Sequence, residues 1–307
     1  MLIGEKFVKT PMRYPGGKTR AIDSIAQLIP QFDEYREPFF GGGSVYYNVK
    51  QMLPNKKYWV NDLFEPLYKF WYETQNNLPV IFEHARAWIH EYVTKYPDKE
   101  NYLKRGKDLY DFLKANIYEH FDDTQVATAW WLLNRCTFGG ATLSGGYVEA
   151  AFERYILNSD PRMYERMEAG VPVLAGTKIT NVDYSVLTNA PGENVFIFLD
   201  PPYCLPGFST NDLYGKDGSM HRNFSHIKFA EDMKACKHKW LITYNDCPEV
   251  REMFSWANIK EFTFTYGMKN VSKQNNVKYK DKELDLTGRE IFISNYEINK
   301  NYNFFEV

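Results

Sequence analysis

The run Val195-Phe196-Ile197-Phe198-Leu199 stops abruptly at Asp200-Pro201-Pro202-Tyr203. Five apolar residues without a polar alternate leave no face for water, so the run reads as a central strand covered on both sides. Such strands belong to mostly parallel sheets flanked by helices, which predicts an α/β fold. Trp240-Leu241-Ile242-Thr243-Tyr244 and the short Tyr58-Trp59-Val60 read the same way, and residues 290–296 give a further strand. Between Arg20 and Ile29 the apolar residues recur at helical spacing, and Pro30 ends the pattern. Residues 76–174 are mostly helical in pattern, broken by Gly139-Gly140 and Gly145-Gly146. This predicts three stretches: 1–75 and 175–307 forming one α/β domain, and 76–174 inserted as a second lobe.

Composition narrows the partners. The chain has 307 residues, enough for a sizeable core, and a formal net charge of -2. A protein that grips nucleic acid by bulk charge would be basic, so any such contact must come from local patches. The 23 Tyr and 22 Phe suit stacking on flat ligands or an aromatic core, and composition alone does not choose between them. The cysteines, at 136, 204, 236 and 247, form no C-x-x-C pair and read as free thiols in a reducing compartment. No ligand cluster suggests a metal. The first ten residues lack the apolar run of a signal peptide, and no stretch reaches the roughly 20 apolar residues of a membrane span. A soluble, cytoplasmic protein is the expectation.

Two motifs carry chemistry. Glu37-Pro38-Phe39-Phe40-Gly41-Gly42-Gly43-Ser44 places three glycines between an acidic residue and the start of a helix near Ser44. Without Cβ atoms, such a bend turns sharply and lets a ligand lie on the backbone. About 20 residues on, Asp62 ends the next predicted strand, where a carboxylate commonly accepts from ribose hydroxyls. The pair points to a nucleoside-containing cofactor; a plain structural turn is the alternative. No G-K-[ST] run sits in this bend, which disfavours a triphosphate loop. Pro15-Gly16-Gly17-Lys18-Thr19 resembles one superficially but lacks the upstream glycine.

Asp200-Pro201-Pro202-Tyr203 lies where an open parallel sheet binds its ligands, outside the carboxyl end of a strand. An aryl amine is a poor nucleophile because its lone pair is delocalised into the ring. A carboxylate (Asp200) and a peptide oxygen (Pro201) accepting both N–H hydrogens would draw that nitrogen toward tetrahedral geometry. Pro201 and Pro202 make the turn rigid, and Tyr203 can stack on the base.

Taken together, these residues resemble the Dam-type (D12 class) DNA adenine-N6 methyltransferases. Met12-Arg13-Tyr14-Pro15-Gly16-Gly17-Lys18 matches that family's N-terminal motif, Glu37 to Val45 its cofactor motif, and Asn61-Asp62 its ribose position. Asn134-Arg135-Cys136-Thr137-Phe138-Gly139-Gly140 is similar to a segment of its recognition lobe. Asp183-Tyr184 falls at the cofactor-adenine contact, and Tyr244-Asn245-Asp246 at a late strand end. The resemblance implies a Rossmann-like S-adenosylmethionine-dependent sheet with an inserted, mostly helical target-recognition lobe. It implies that Tyr14, Lys18, Glu37, Pro38, Phe39, Gly41, Gly43, Asp62, Asp183 and Tyr184 hold S-adenosylmethionine. It further implies that Asp200, Pro201, Pro202 and Tyr203 act on a flipped adenine. Departing from the family, the loop after Phe138 is short of Arg and Lys, which leaves the target sequence open.

Double-stranded DNA is the expected partner, with room for a companion restriction endonuclease. Lys269, Lys273, Lys278 and Lys280, interleaved with amides, suit phosphate contacts, and Arg135 suits a base edge. The base would have to be flipped at a cost of roughly a few kcal/mol. Residues 206–224 read as a flap over the site. Methylation of cytosine N4, of RNA adenine or of a protein amide is the alternative within the chemistry. Cytosine-N4 and amide enzymes usually carry Ser or Asn at the place of Asp200. A non-catalytic DNA-binding regulator with the same fold is the alternative outside it.

Overall fold

The computed structural model describes residues 7–158, 162–204, 224–265 and 287–298. Seven strands form one sheet: β1 (Glu34–Glu37), β2 (Lys57–Asn61), β3 (Lys178–Thr180), β4 (Val195–Leu199), β5 (Lys239–Asn245), β6 (Asn258–Thr265) and β7 (Thr287–Ser294). Their spatial order is β3-β2-β1-β4-β5-β7-β6. All neighbouring pairs from β3 to β5 are parallel, whereas β7 runs antiparallel to both β5 and β6. The chain order therefore reverses between β1 and β4, which lie side by side with Glu34 opposite Val195 and Arg36 opposite Ile197. A crevice opens at the carboxyl ends of two strands at such a point.

The helices are α1 (Ile22–Ala26), α2 (Ser44–Met52), α3 (Glu65–Asn76), α4 (Leu78–Ile89), α5 (Tyr102–Asn116), α6 (Asp123–Cys136), α7 (Glu149–Phe152), α8 (Arg162–Leu174), α9 (Tyr184–Asn189), α10 (His226–Ala235) and α11 (Pro248–Met253). The helix expected over 20–29 is shorter. A 3-10 turn at Lys18–Arg20 precedes α1, which ends four residues before Pro30. α6 starts on a capping box, Asp122 accepting from the Gln125 N–H and Gln125 returning to the Asp122 N–H. From α3 to α8 the described chain is helical apart from one antiparallel bridge, Thr137 to Tyr147, so the middle of the chain is the helical region that its pattern predicts.

The helical region has no core of its own. One continuous apolar cluster joins Tyr35, Val60 and Phe196 of the sheet to Tyr46 of α2, Trp71 of α3, Trp131 of α6 and Met167 of α8. The opposite sheet face holds a smaller cluster, with Ile197, Leu199, Trp240 and Ile293 packed under Phe229 of α10 and Val250 of α11. β4 is buried throughout, as its unbroken apolar run requires.

Candidate active site

β1 delivers Glu37 and β4 delivers Asp200 to neighbouring strand ends. Glu37 is 3% exposed, and the Tyr35 hydroxyl donates to its Oε2 at 2.6 Å. Burial pushes the Glu37 carboxyl well above its ordinary range. The Tyr35 bond and a backbone N–H from Tyr46 pull it down, while the charges of Asp200 and Asp62 push it further up. Among the described residues Glu37 has no ion-pair partner.

Asp200 is supplied with a cation. Lys18 Nζ lies 2.6 Å from Asp200 Oδ2, and the Lys18 side chain is only 5% exposed. The Thr243 hydroxyl, at the neighbouring strand end of β5, donates to Asp200 Oδ1 at 2.7 Å. Lys18 Nζ also donates to Gly16 O at 2.9 Å, and the Lys18 N–H donates to Ser44 Oγ at 3.0 Å. Because Ser44 opens α2 directly after the glycine bend, Lys18 bridges the two motifs. The sequence places Lys18 with the cofactor residues; the structure puts its ammonium on the carboxylate of Asp200.

The turn after Asp200 is held from three sides. The Tyr203 hydroxyl donates to Glu290 Oε1 of β7 at 2.6 Å, its ring lies 6.0 Å from that of Tyr244, and Lys18 Nζ stands 5.1 Å over its ring. Pro201 is buried and Pro202 partly so. Asn245 Nδ2 fixes the next residue by donating to Cys204 O at 2.5 Å.

The glycine bend is a cradle by geometry. Gly41 and Gly43 have φ of 49° and 68°, in the left-handed region that favours glycine. Tyr14 lies across Gly41 and Gly42; a Cβ on Gly42 would stand 2.5 Å from Tyr14 Cβ. Asp62 supports the bend from below. Its Oδ2 accepts from the Gly41 N–H at 2.8 Å, and its Oδ1 accepts from the Phe64 N–H at 2.9 Å. Burial raises the Asp62 carboxyl to about 6 against those two bonds. Each oxygen keeps acceptor capacity for a further donor.

Asn61, which the sequence analysis names only beside the ribose carboxylate of Asp62, ties the rim together. Its Nδ2 donates to Pro38 O at 3.1 Å and Val182 O at 2.9 Å, and its Oδ1 accepts from the Val182 N–H at 2.9 Å. Asp183 caps α9, accepting from the Ser185 N–H at 2.9 Å. Tyr184 stacks on Phe39 with ring centroids 5.6 Å apart, and its hydroxyl donates to Asp232 Oδ2 at 2.6 Å.

Arg135 stands elsewhere than expected. It is 2% exposed, and its Nη2 donates to the Pro11 carbonyl. Burial, with the nearby Arg13 and Arg166 charges, lowers it to about 10. The α6 face that carries it packs inward, so its guanidinium faces the N-terminal segment instead of a base edge. Lys269, Lys273, Lys278 and Lys280, and the flap except for Phe224, lie outside the described residues.

The family model for the D12 class N6 adenine-specific DNA methyltransferases matches residues 14–302, which takes in every element of this site. The chain belongs to that family. It is 26% identical over 255 residues to the DNA N-6-adenine-methyltransferase of Escherichia phage P1, covering 81% of this chain and 31% of that protein. It is 23% identical over 207 residues to the type II methyltransferase M.MjaIII of Methanocaldococcus jannaschii, covering 64% and 69%. It is 24% identical over 311 aligned positions to the modification methylase StsI of Streptococcus sanguinis, covering 97% and 44%. The chain thus spans about a third of the phage P1 protein and under half of StsI. The family match agrees with the mixed α/β architecture and the mostly parallel seven-stranded sheet.

Proposed function

We propose that this chain is a site-specific DNA methyltransferase that transfers a methyl group from S-adenosylmethionine to N6 of a flipped adenine. Its sheet is then a Rossmann-like methyltransferase sheet, and residues 76–174 are its target-recognition lobe. One observation carries the reading. The charges of Asp62 and Asp200 both act on the buried Glu37 at neighbouring strand ends, and Lys18 is committed to Asp200.

The donor set fits the methyl donor. Glu37 and Asp62 favour a cationic ligand, because a positive charge relieves two carboxyls that burial holds above their ordinary range, Glu37 with a further push from the Asp200 and Asp62 charges. The glycines at 41 and 42 let Tyr14 pack directly on the backbone of the bend, beside the two carboxyls. Tyr14, Lys18, Glu37, Pro38, Phe39, Gly41, Gly43, Asp62, Asp183 and Tyr184 would hold the cofactor, Lys18 through the carboxylate it pins. When bound, S-adenosylmethionine supplies an electrophilic methyl group on a sulfonium.

The residues of the turn do the rest. Asp200 accepts one N–H of the target amine, and the peptide oxygen of Pro201 accepts the other, which draws the nitrogen lone pair out of ring conjugation. Lys18 and Thr243 fix the carboxylate so that little reorganisation accompanies the transfer. Tyr203, held by Glu290, stacks on the base. The proton lost by the amine leaves through Asp200 to water. One relative bears the name of a modification methylase and another that of a type II methyltransferase, and we include a companion restriction endonuclease among the expected partners.

Incubation of the protein with duplex DNA and labelled S-adenosylmethionine, followed by nucleoside analysis, tests the reading. N6-methyl-2′-deoxyadenosine as the product is the expected result. N4-methylcytosine alone, or DNA binding with no methylation of any duplex, would overturn it.

A further inference from the structure

The segment from Asn134 to Gly140 opens the glycine-rich break of the helical region, yet its most buried side chain reaches the N-terminal segment. Asn134 is 0% exposed. Its Oδ1 accepts from the Arg13 N–H at 3.3 Å, and its Nδ2 donates to Arg13 O at 2.6 Å and to Gly140 O at 3.0 Å. One amide thus holds both backbone polar groups of residue 13, as a neighbouring strand would. Arg13 answers, its Nη1 donating to the Asn134 and Arg135 carbonyls at 3.4 and 3.3 Å. The two backbones also touch directly. Gly140 has φ of 80°, and a Cβ there would stand 2.1 Å from Arg13 O.

The other side of the same segment rests on the glycine bend. Tyr14, the residue after the one that Asn134 grips, covers Gly41 and Gly42; a Cβ on Gly41 would meet Tyr14 Cε1 at 2.9 Å. The Thr10 hydroxyl donates to Gly42 O at 2.6 Å, and the Gly17 N–H donates to Tyr14 O at 3.1 Å. Residues 10–14 are therefore clamped between the helical region and the loop that cradles the cofactor.

We propose that Asn134 is a positioning residue for the methyl donor. It acts through Arg13 to keep Tyr14 flat on Gly41-Gly42, and so couples the helical region to the cofactor loop. This rests on the cofactor reading given above. DNA seated on the helical region then alters cofactor affinity, and the cofactor alters DNA affinity by the same factor, since such a coupling is reciprocal.

Calorimetric titration of S-adenosylmethionine into DNA-free protein tests it. Asn134→Ala removes the whole grip. Asn134→Asp keeps the acceptor but loses both donors. Gly140→Ala pushes on Arg13 O from the helical side. Each is expected to raise the Kd about tenfold, the scale of one lost buried hydrogen bond, while kcat at saturating cofactor and DNA stays within about twofold of wild type. Tyr14→Ala weakens binding by itself, and Asn134→Ala added to it is expected to weaken binding no further, because both act through one contact. An unchanged Kd in the folded single variants, or additive losses in the double variant, would overturn the proposal. Thermal melts identify the folded variants, and if Asn134→Ala does not fold, Asn134→Asp takes its place in the cycle. A wild-type protein that binds no S-adenosylmethionine would instead sink the cofactor reading underneath.

Discussion

Asp200 and Glu37 end adjacent parallel strands, yet they stand in opposite electrostatic situations. Asp200 is partly exposed and has its counter-cation and a hydroxyl donor built in, through Lys18 and Thr243. Glu37 is almost fully buried, shares its surroundings with two other acids, and has a neutral phenol where a cation would serve it better. The difference separates a finished half of the site from an unfinished one. On the reading proposed above, the turn that would handle the base is organised by the protein alone, whereas the glycine bend leaves charge for a ligand to match. Preorganisation of the first kind lowers a barrier; charge mismatch of the second kind becomes binding energy for a cation.

Removing the finished half is the harshest way to break this contrast. Asp200→Ala is expected to lower methyl transfer about a thousandfold, in line with deletion of a single organised polar group at a reacting centre, with cofactor affinity nearly unchanged. Labelled methyl incorporation under single-turnover conditions measures it, and a variant retaining a tenth of the wild-type rate would end the argument for Asp200. Lys18→Met removes the cation but keeps the stem. A partly buried carboxylate then loses its partner, and kcat is expected to fall about a hundredfold, within the range that loss of a close charge pair produces. If KM for the cofactor changes tenfold while kcat holds, Lys18 belongs with the donor and not with Asp200.

Glu37→Gln sharpens the other side. The neutral amide should weaken S-adenosylmethionine about tenfold. The sign of its effect on stability is the opposite of that for a surface carboxylate. Glu37 and Asp62 are raised in the folded state, the latter to about 6 from 3.8. The folded chain therefore binds more protons than the unfolded chain across that interval, and cofactor-free stability falls as pH rises through it. Glu37→Gln removes its share of that fall, so its melting temperature above pH 6 should exceed that of wild type. Cofactor binding should release protons and tighten between about pH 4 and 6, which titration in buffers of different ionisation enthalpy reads directly. The mildest expected change is Thr243→Val, which keeps the shape and removes one bond to Asp200. A loss in kcat of about fivefold corresponds to the roughly 1 kcal/mol of a neutral hydrogen bond. A change only in cofactor KM would place Thr243 on the wrong half of the contrast.

The turn from Asp200 to Tyr203 was legible because its strand is five apolar residues long and its stop is abrupt, a signal confined to nine consecutive positions. The glycine bend and Asp62 were legible for the same reason, each being a short local pattern. β1 was less so. Its sequence, Glu34-Tyr35-Arg36-Glu37, carries three charged residues, and it is buried only because Arg36 spends its guanidinium on Glu34 and on the carbonyls of Leu187, Ala190 and Pro191 at the end of α9. Those partners are about 150 positions away, and no window of sequence contains them. Thr243, Glu290 and Asn134 were missed on the same ground, since each meets its partner only across the folded sheet or between the helical region and the N-terminus. Arg135 shows the converse error. Beside a glycine-rich loop it reads as a hand for DNA, but the face of α6 that it shares with Trp131 and Leu132 turns inward. β3 and β6 carry too few apolar residues in a row to stand out, and pairing with established strands makes them.

The unbroken core has a practical consequence for anyone wishing to redirect such an enzyme to a new recognition sequence. A lobe sealed by its own interior can be cut out and exchanged like a cassette. Here Trp131 and Met167 belong to the same continuous core as Tyr46 of α2 and Trp71 of α3, whose indole N–H donates to Gly41 O of the glycine bend. A transplanted helical region would have to arrive with matching α2 and α3 surfaces. If the helical region reads the target as proposed, changing it is accordingly a matter of rewriting residues in place, not of swapping parts.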